Sequence, residues 1–318
     1  MNLELNKSNN FLKWDEFLDQ SSQSNVFCAS WLLKLRNKSY DFYFISEGKK
    51  ILATAMVAMD DSGLPTNKPW IYHGIFFNKT VESNQNHSTT RKKIEIIEFI
   101  IHELVKRYGL ISFSLHPSIL DLRAFQWYNF DKQMSGKFFF NINYTSILDL
   151  SLYSDFDEYL KSIRSVRRQE YNKCIRDGCQ IEISSNIKLL DQLHEMTFER
   201  QGLKRNDHDK MLCNQVAKYA IQNNLGQMII CKNKSGETMS AGLFLFHNHC
   251  SYYLIGATDQ QFRRNSPMTF IILEHIKNLS KLDINKIDFC GINSPNRGDY
   301  KLSYNGNITP FYDVSFKK

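Results

Sequence analysis

The order of predicted strands and helices in the second half of this sequence repeats the order in the first half. Residues 40–46 and 51–59 alternate around a turn, which predicts a β-hairpin, and residues 227–232 and 239–246 do the same. In each half the hairpin is followed by a strand, a helix and another strand, and corresponding elements lie roughly 175 to 185 positions apart. The sequence therefore predicts two copies of one mixed α/β unit.

The elements that follow each hairpin carry the usual signals of strands and helices. In the first copy they are residues 69–77, 91–108 and 110–115, and in the second copy residues 251–258, 266–281 and 286–290. Between the copies, residues 119–130 predict an aromatic-rich helix, and residues 155–177 predict one helix with a basic, solvent-facing side. The predicted boundary near Leu150 gives domains of residues 1–149 and 150–318.

Composition sets the class of protein and of partner. A chain of 318 residues with 42% hydrophobic side chains is long enough for two domains with their own cores. Its net charge of +7 suits phosphorylated ligands and does not require DNA. The N-terminus has no apolar signal core and no segment approaches the length of a membrane span, so we expect no membrane insertion. Seven cysteines without a CxxC pair favour free thiols in the cytoplasm.

The loop between the strand 251–258 and the helix 266–281 is the strongest candidate for a binding site. Arg263 and Arg264 precede Ser266, which we expect to cap the helix, and Pro267, which suits its first position. Free amides, the positive end of the helix dipole and two arginines would then meet at one point, which predicts an anion site. The corresponding loop of the first copy, residues 78–90, is longer and only polar. The second copy is therefore the predicted catalytic one.

Several short motifs, taken in order, resemble one superfamily. They are YTSILDL at residues 144–150, SVRR at 165–168, FERQG at 198–202, ATD at 257–259, FRRNSP at 262–267, DFCG at 288–291 and YKLSYNG at 300–306. Together they resemble the GNAT acyltransferases, and in particular the two-domain branch of Fem-type peptidoglycan aminoacyltransferases and CoA-dependent sugar N-acyltransferases. The resemblance implies an α/β (α+β) fold of two tandem GNAT-like domains, each a mixed, mostly antiparallel sheet flanked by helices.

The resemblance also implies where an acyl donor binds. The strands 251–258 and 286–290 would splay apart around the pantetheine arm of acyl-CoA, and Gly256 would permit its close approach. The pyrophosphate would lie on the amides of Arg264, Asn265 and Ser266. Ser266 and Pro267 stand where the superfamily commonly has glycines. The first domain would lack such a phosphate loop.

The acceptor amine must lose a proton, and the sequence offers two candidate bases. Asp288 lies on the second splayed strand, although a hydrogen-bonded structural role fits it as well. His73 lies on the corresponding strand of the first copy, where a structural histidine is the alternative. Tyr300 and Lys301 would bind substrate or assist the leaving thiolate, or else hold the last strand in place.

Further substrate contacts are predicted in both halves of the chain. The predicted substrate-binding residues are Tyr72, Trp127, Glu199, Arg200, Tyr300 and Lys301. Trp127 lies in an aromatic segment that could stack on a base or a sugar ring, or equally form a core helix. His247, His249 and Cys250 lie together at a hairpin turn without a distant fourth ligand, so no metal is expected.

These features predict a cytoplasmic N-acyltransferase. It would move an acyl group from acyl-CoA to a nucleotide-linked amino sugar in surface polysaccharide biosynthesis. The alternative within the same resemblance is a Fem-type transfer from aminoacyl-tRNA to a peptidoglycan precursor, and tRNA is a partner only in that case. A catalytically inactive binding module with the same fold is the third hypothesis.

Overall fold

The computed structural model describes residues 1–67, 71–82, 86–132 and 135–317. Its contacts divide the chain into two compact units. The first consists of Met1–Tyr144 with Pro310–Lys318, and the second of Thr145–Thr309. The assignment of separate roles to residues 1–149 and 150–318 stays a prediction.

The first unit is built around a four-stranded antiparallel sheet. Its elements are β1 (Leu3–Lys7), α1 (Phe11–Leu18), α2 (Ser30–Arg36), β2 (Tyr40–Glu47), β3 (Lys50–Ala58), β4 (Ile75–Phe77), α3 (Lys79–Glu82), α4 (His87–Tyr108), β5 (Leu110–Ser114), α5 (Arg123–Trp127), the start of β6 (Phe138–Asp149) and the end of β12 (Asn307–Lys317). The sheet order is β1-β2-β3-β4, and β5 pairs with β12. The hairpin predicted from alternation is confirmed as β2 and β3.

The long helix α4 provides much of the core of the first unit. Ile97, Ile101 and Leu104 are buried on one side of it, as their spacing predicts. The side chain of Asn86 accepts from the amide of Thr89 at the start of the helix, and Gly109 ends it at a φ of 64°. Asparagine and glycine are residues that commonly cap helices. The helix therefore begins and ends close to the residues that the sequence predicts.

Three predictions in this unit are corrected. The strand predicted over 69–77 is limited to β4, and residues 69 and 70 of the predicted strand lie outside the described residues. The loop predicted over 78–90 contains α3 and the start of α4, and residues 83–85 lie outside the described part. The helix predicted over 119–130 is only α5, because Tyr128 has an extended ψ of 120° and Asn129 a left-handed φ of 57°.

The second unit is a mixed sheet covered on both faces. Its elements are the end of β6, α6 (Phe156–Ser162), α7 (Ser165–Arg176), β7 (Gln180–Ile183), α8 (Ile187–Glu199), α9 (Asp207–Gln222), β8 (Gly226–Lys232), β9 (Thr238–His247), β10 (Cys250–Thr258), α10 (Pro267–Asn278), β11 (Lys286–Asp288), α11 (Pro295–Leu302) and the start of β12. The strand order is β6-β11-β10-β9-β8-β7. β10 and β11 are parallel, whereas the β6–β11, β9–β10, β8–β9 and β7–β8 pairs are antiparallel.

Alternate residues of the strands supply the two cores of this unit. Ile229 and Cys231 of β8 face the core that contains α7 and α10. Met228 and Ile230 face the opposite core, with α8 and α9. This alternation follows from the two-residue period of a strand. Helices on both faces hold the parallel β10–β11 pair in the interior of the sheet.

The helix predicted over residues 155–177 is two helices. Ile163 is extended, with a ψ of 163°, and separates α6 from α7. Arg168 stabilises the break, since its guanidinium donates to the carbonyls of Lys161 (2.8 Å) and Ile163 (2.6 Å) at the end of α6. No proline or glycine marks this position, so the break has no local signal in the sequence.

Within the described ranges, none of the helices combines the length and the apolar character that crossing a bilayer requires.

Candidate active site

A gap opens between the two parallel strands of the second unit. Register pairs join β10 and β11 only from Cys250 with Lys286 to Tyr252 with Asp288. Beyond Asp288 the chain of β11 leaves the sheet, while β10 continues to Thr258 along β9. The strands 251–258 and 286–290 therefore separate where the sequence predicts it, although β11 itself ends at Asp288 instead of Cys290.

Gly256 lies on β10 within this gap, beside its own strand neighbour Tyr253. A register shift between Tyr253 and Ile255 forms a bulge. A Cβ atom at Gly256 would lie 1.7 Å from the hydroxyl oxygen of Tyr253 and 3.2 Å from Cε of Met268. The missing side chain at Gly256 thus accommodates the Tyr253 hydroxyl. A close approach of a donor at Gly256 stays a prediction, and it requires that hydroxyl to move.

The turn after β11 is held by three side chains. Asp288, which is 2% exposed, accepts from the Thr145 hydroxyl (2.5 Å) and from the amide of Cys290 (2.7 Å) through the same oxygen, Oδ1. Cys290 has a φ of 53°, a conformation that is uncommon for a residue with a side chain. Lys301 donates to the carbonyls on either side of it, those of Phe289 (2.5 Å) and Gly291 (2.8 Å). Asp288 and Lys301 therefore shape one edge of the gap.

A buried polar network lies beneath the start of α10. Thr269 donates to Glu170 (2.7 Å), and Arg167 pairs with the same carboxylate (2.5 Å). The hydroxyls of Tyr300 and Tyr304 both lie 3.3 Å from Oγ1 of Thr269 and 2.7 Å from each other. The guanidinium of Arg167 lies 4.7 Å from the centre of the Tyr300 ring. The network connects α7, α10 and α11.

Sequence reasoning found only Tyr300 in this network. The basic side of residues 155–177 predicts solvated charges, yet the side chain of Arg167 is only 13% exposed. The overlooked signal is Glu170, three residues after Arg167 and therefore next to it on a helix. Thr269 lies in the first turn of α10, and no residue near it in the sequence indicates its hydrogen-bond partners.

The loop before α10 differs from its predicted conformation. Gln260–Asn265 form a 3-10 helix, and Ser266 follows in the left-handed region at a φ of 52°. Ser266 makes no side-chain cap, because an N-cap needs extended backbone to turn its oxygen toward the first-turn amides. Its own amide donates to the carbonyl of Arg263 (3.1 Å). Pro267 is the first residue of the helix, as predicted.

Basic side chains gather around this loop. Burial, together with the positive charge of nearby Arg263, lowers the pKa of Arg200 at the end of α8. Lys173 of α7 donates to the carbonyl of Arg264 (3.4 Å). The structure thus brings Arg200, predicted to bind substrate, to Arg263. Glu199, the last residue of α8, is exposed.

The predicted site residues of the first unit have different surroundings. His73 is 3% exposed, and its Nδ1 has no hydrogen-bond partner among the described residues. Burial lowers the pKa of His73 to about 4. Tyr72 is buried with a φ of 63°, and its ring contacts Phe311 at 5.1 Å between centres. Trp127 is 44% exposed and lies under the guanidinium of Arg123.

The histidines at the turn between β9 and β10 are not assembled into a metal site. His249 contacts the carbonyl of Asp283 through Nδ1 (2.7 Å). Across the described ranges, no group of three or more His, Cys, Asp or Glu side chains is placed to bind a metal.

Comparison with known proteins identifies the second unit. Residues 161–302 match the family model for an acetyltransferase (GNAT) domain. This part of the chain, which lies within the second unit, is therefore a GNAT acetyltransferase domain. It is an acyltransferase with the superfamily's mixed α/β fold, as the motifs predict. A search of curated proteins finds no match to the sequence.

Solved structures show that the GNAT likeness extends over the whole chain at the level of fold. FemX is 13% identical, with 96% of each chain covered and a TM-score of 0.65. L-PGS from Bacillus licheniformis is also 13% identical, covering 97% of this chain and 92% of its own, with a TM-score of 0.53. A tandem GNAT protein from the clavulanic acid pathway is 9% identical, with 98% of each chain covered and a TM-score of 0.52. The predicted resemblance to two-domain, Fem-like GNAT proteins is confirmed.

Proposed function

We propose that this protein transfers an aminoacyl group from a charged tRNA to an amine of a peptidoglycan precursor. The observation that carries the proposal is the conformation of the loop before α10. Residues Gln260–Asn265 form a 3-10 helix, in which backbone amides donate to the carbonyl three residues earlier. The amide of Ser266 likewise donates to the carbonyl of Arg263. A pyrophosphate on the amides of Arg264, Asn265 and Ser266 stays a prediction, and it would require this loop to rearrange.

Positive side chains at the same place offer a different kind of phosphate recognition. Arg263, Arg264, Arg200 and Lys173 are carried by the loop, by the end of α8 and by α7. Long basic side chains suit the spaced phosphates of a nucleic acid backbone, whereas one compact pyrophosphate is better held by converging amides. The net charge of +7 has the sign that this partner requires.

The fold supports the same proposal. The fold of the chain is similar to that of FemX over 96% of both chains, and the name FemX points to the Fem-type alternative. A second similar structure is described as the C-terminal domain of a putative lysylphosphatidylglycerol synthetase from Agrobacterium fabrum, with 12% identity and a TM-score of 0.53. Both similarities concern the fold, and the proposal on the donor rests on the loop.

Acyl transfer from acyl-CoA to a nucleotide-linked amino sugar is the second candidate. The matching family model is described as an acetyltransferase domain, and β10 and β11 are paired only as far as Tyr252 and Asp288, so a linear acyl carrier would lie beyond that point. Under this candidate, Tyr253 must leave Gly256 before the carrier can bind along β10.

Transfer assays with both donors separate the two candidates. The purified protein is incubated with charged tRNA and a nucleotide-linked muramyl peptide, and in parallel with acetyl-CoA and a nucleotide-linked amino sugar. We expect mass spectrometry to show one added aminoacyl residue in the first reaction. Acetylation of the amino sugar, with no use of charged tRNA, would overturn the proposal.

Binding of uncharged tRNA and of CoA tests the basic loop. Arg263→Ala combined with Arg264→Ala should weaken tRNA binding at least ~10-fold and make it less sensitive to salt, because fewer phosphate counterions are released. Lys49→Ala with Lys50→Ala, at the β2–β3 turn, removes the same charge and serves as the matched control. Weaker CoA binding with unchanged tRNA binding in the loop variant would support the second candidate.

A further inference from the structure

A cleft of about 490 Å³ opens in the second unit, at the end of β11 that is opposite to the gap. Ile284 and Asn285, which line the cleft, come immediately before β11, whereas the gap opens after Asp288 at the other end of this strand. The length of the strand therefore separates the two sites, because a strand extends by about 3.3 Å per residue. The cleft is distinct from the place where an acyl donor would bind.

The first wall of the cleft is the turn between β6 and α6. Asp149 accepts from the amide (3.0 Å) and the hydroxyl (2.6 Å) of Ser151. At the start of α6, Asp155 accepts from the amide of Glu158 (2.7 Å), and the Glu158 carboxylate accepts from the amide of Ser154 (2.7 Å). This reciprocal arrangement is a variant of the capping box, which fixes how the chain enters a helix.

The second wall is the end of α10 and the turn that follows it. Lys277 of α10 and Ser280 of the next 3-10 helix, Leu279–Leu282, line this wall. The turn ends at Asp283, which has a φ of 54° and whose carbonyl oxygen lies 2.7 Å from Nδ1 of His249. Hydrogen bonds within the protein thus form both walls, as expected for a site that exists before its ligand binds.

The lining of the cleft indicates the kind of ligand. The rings of Tyr153 and Phe156 are partly exposed beside the hydroxyls of Ser151 and Ser280 and the side-chain amide of Asn285. An aromatic ring offers an apolar surface to the C–H face of a sugar, and hydroxyls and amides both donate and accept, as sugar hydroxyls do. The volume lies in the range of ordinary small-molecule sites.

The charges of the lining disfavour ionic ligands. Asp155 and Asp283 contribute two negative charges and Lys277 one positive charge, a balance of −1 in a protein whose net charge is +7. The negative end of the α10 dipole also lies here, so a phosphorylated ligand would be repelled. The ammonium of Lys277 lies 5.9 Å from the centre of the Phe156 ring and already takes the place of a cation on it. A neutral ligand meets neither obstacle.

Two tyrosines connect the cleft with the polar network beneath α10. Tyr159 lines the cleft, is 1% exposed, and donates its hydroxyl to the carbonyl of Tyr304 (3.0 Å). The hydroxyl of Tyr153 accepts from the side-chain amide of Asn305 (3.0 Å), and the Tyr153 and Tyr159 rings are in contact, with centres 5.3 Å apart. The Tyr304 hydroxyl in turn contacts Thr269 in the network.

We propose that this cleft is a regulatory site for a neutral saccharide. A sugar ring on Tyr153 and Phe156 favours the state in which Tyr153 and Tyr159 hold Asn305 and Tyr304 over a state in which these hydrogen bonds are open. Binding in the cleft is thereby coupled to the network beneath α10, and the coupling is reciprocal. The inference holds for aminoacyl-tRNA and for acyl-CoA as the acyl donor.

Isothermal titration calorimetry of the full-length protein tests the class of ligand, with N,N′-diacetylchitobiose, cellobiose and maltose as probes. We expect the wild type to bind at least one of them, and Ser280→Trp, whose indole would fill the cleft, to bind it at least ~10-fold more weakly. Ser235→Trp, at the exposed β8–β9 turn, is the matched control and should bind as the wild type does.

Three results of this titration would overturn the inference. They are binding of spermidine or uridine monophosphate in place of all three saccharides, wild-type affinity in Ser280→Trp, and the same loss of affinity in Ser235→Trp. A wild-type protein that binds none of the probes would also overturn it.

Hydrogen exchange followed by mass spectrometry tests the coupling without an acyl donor. The bound saccharide should slow exchange in residues 299–306 at least ~3-fold, because opening of this segment breaks the bond from Tyr159 to Tyr304. Tyr159→Phe keeps the ring and should still bind the saccharide, but without this slowing. Tyr171→Phe, which removes a hydroxyl bonded to Glu274 (2.5 Å), is the matched control and should keep it. Unchanged exchange in the wild type, or equal slowing in Tyr159→Phe, would contradict the regulatory role.

Discussion

Asp288 and its two hydrogen-bond donors determine the shape of the turn after β11. Thr145 and the amide of Cys290 donate to the same carboxylate oxygen, and Thr145 in turn accepts from the amide of Gly291 (3.1 Å). These contacts hold Cys290 in its left-handed conformation. They agree with the structural role that was the alternative to catalysis for Asp288. The role of general base stays a prediction.

Substitutions at Asp288 and Thr145 distinguish the two roles. If Asp288 mainly holds the turn, Thr145→Val, which removes one donor, should reproduce much of the effect of Asp288→Asn on activity. Each change should lower the free energy of unfolding by roughly 1–3 kcal/mol. If Asp288 is the base, Asp288→Asn should lower the rate at least ~100-fold while Thr145→Val stays near wild type. Urea unfolding and transfer kinetics measure both effects.

The buried imidazole of His73 makes stability depend on pH. Burial lowers its pKa from 6.5 to about 4, so between these values the unfolded chain binds more protons than the folded chain. The resulting stability is complete above pH 6.5 and is lost as the pH falls toward 4. His73→Asn should remove up to about 3 kcal/mol of this acid destabilisation. The measurement is urea unfolding at a series of pH values, and equal slopes for both proteins would contradict it.

At the start of α10, the predicted first residue is confirmed but the predicted capping role of Ser266 is wrong. Pro267 begins the helix as predicted, but the preceding 3-10 helix brings Ser266 into a left-handed conformation. Serine has a Cβ atom, which makes this conformation less favourable than it is for glycine. A serine in the predicted capping role would instead stabilise the helix by about 1 kcal/mol.

Ser266→Gly should therefore be neutral or stabilise the protein by up to about 1 kcal/mol. Its hydroxyl makes no cap, and glycine accepts the observed φ of 52° at little cost. Thermal unfolding of this variant, beside Ser266→Ala as the control that keeps a Cβ atom, measures the difference. A loss of stability in Ser266→Gly similar to that in Ser266→Ala would contradict the left-handed conformation.

The basic residues of α7 show what helical spacing in a sequence can and cannot predict. Arg167 turns inward to Glu170, and Arg168 turns back to the carbonyls at the end of α6. Sequence spacing gives the side of the helix on which these residues lie, but not which of them find buried partners. The partners belong to other elements and come from distant parts of the chain.

At the scale of the molecule, the second unit depends on residues before its predicted start. Residues 147–149 of β6 pair with β11, and Leu148 is buried in the core that contains α10. A fragment of residues 151–318 lacks this pairing strand and leaves one edge of β11 open. A fragment of residues 145–309 retains it.

We expect residues 145–309 to give a soluble protein with a cooperative unfolding transition. Residues 151–318 should be poorly soluble, because Ile287 and Phe289 lose part of their cover. Near-ultraviolet circular dichroism and size-exclusion chromatography of the two fragments provide the measurement. Equal behaviour of both fragments would show that β6 does not contribute to the stability of this unit.

The sequence by itself determined the elements whose signals are local. The hairpins follow from alternation around a turn, α4 from its apolar spacing and its caps, and the position of α10 from Pro267. The order of the short motifs was sufficient for the GNAT fold and for the separation of β10 from β11. These features depend on neighbours within a few residues, or on a pattern that survives at low identity.

Only the tertiary structure decided how the site is made. Thr269 meets Glu170 and Tyr300 across 99 and 31 positions of sequence, and Thr145 meets Asp288 across 143. Whether Arg167 is solvated or buried, and whether Ser266 caps a helix, depends on what packs against each of them. Burial and hydrogen-bond partners are properties of the folded chain, because they are set by segments that approach each other only after folding.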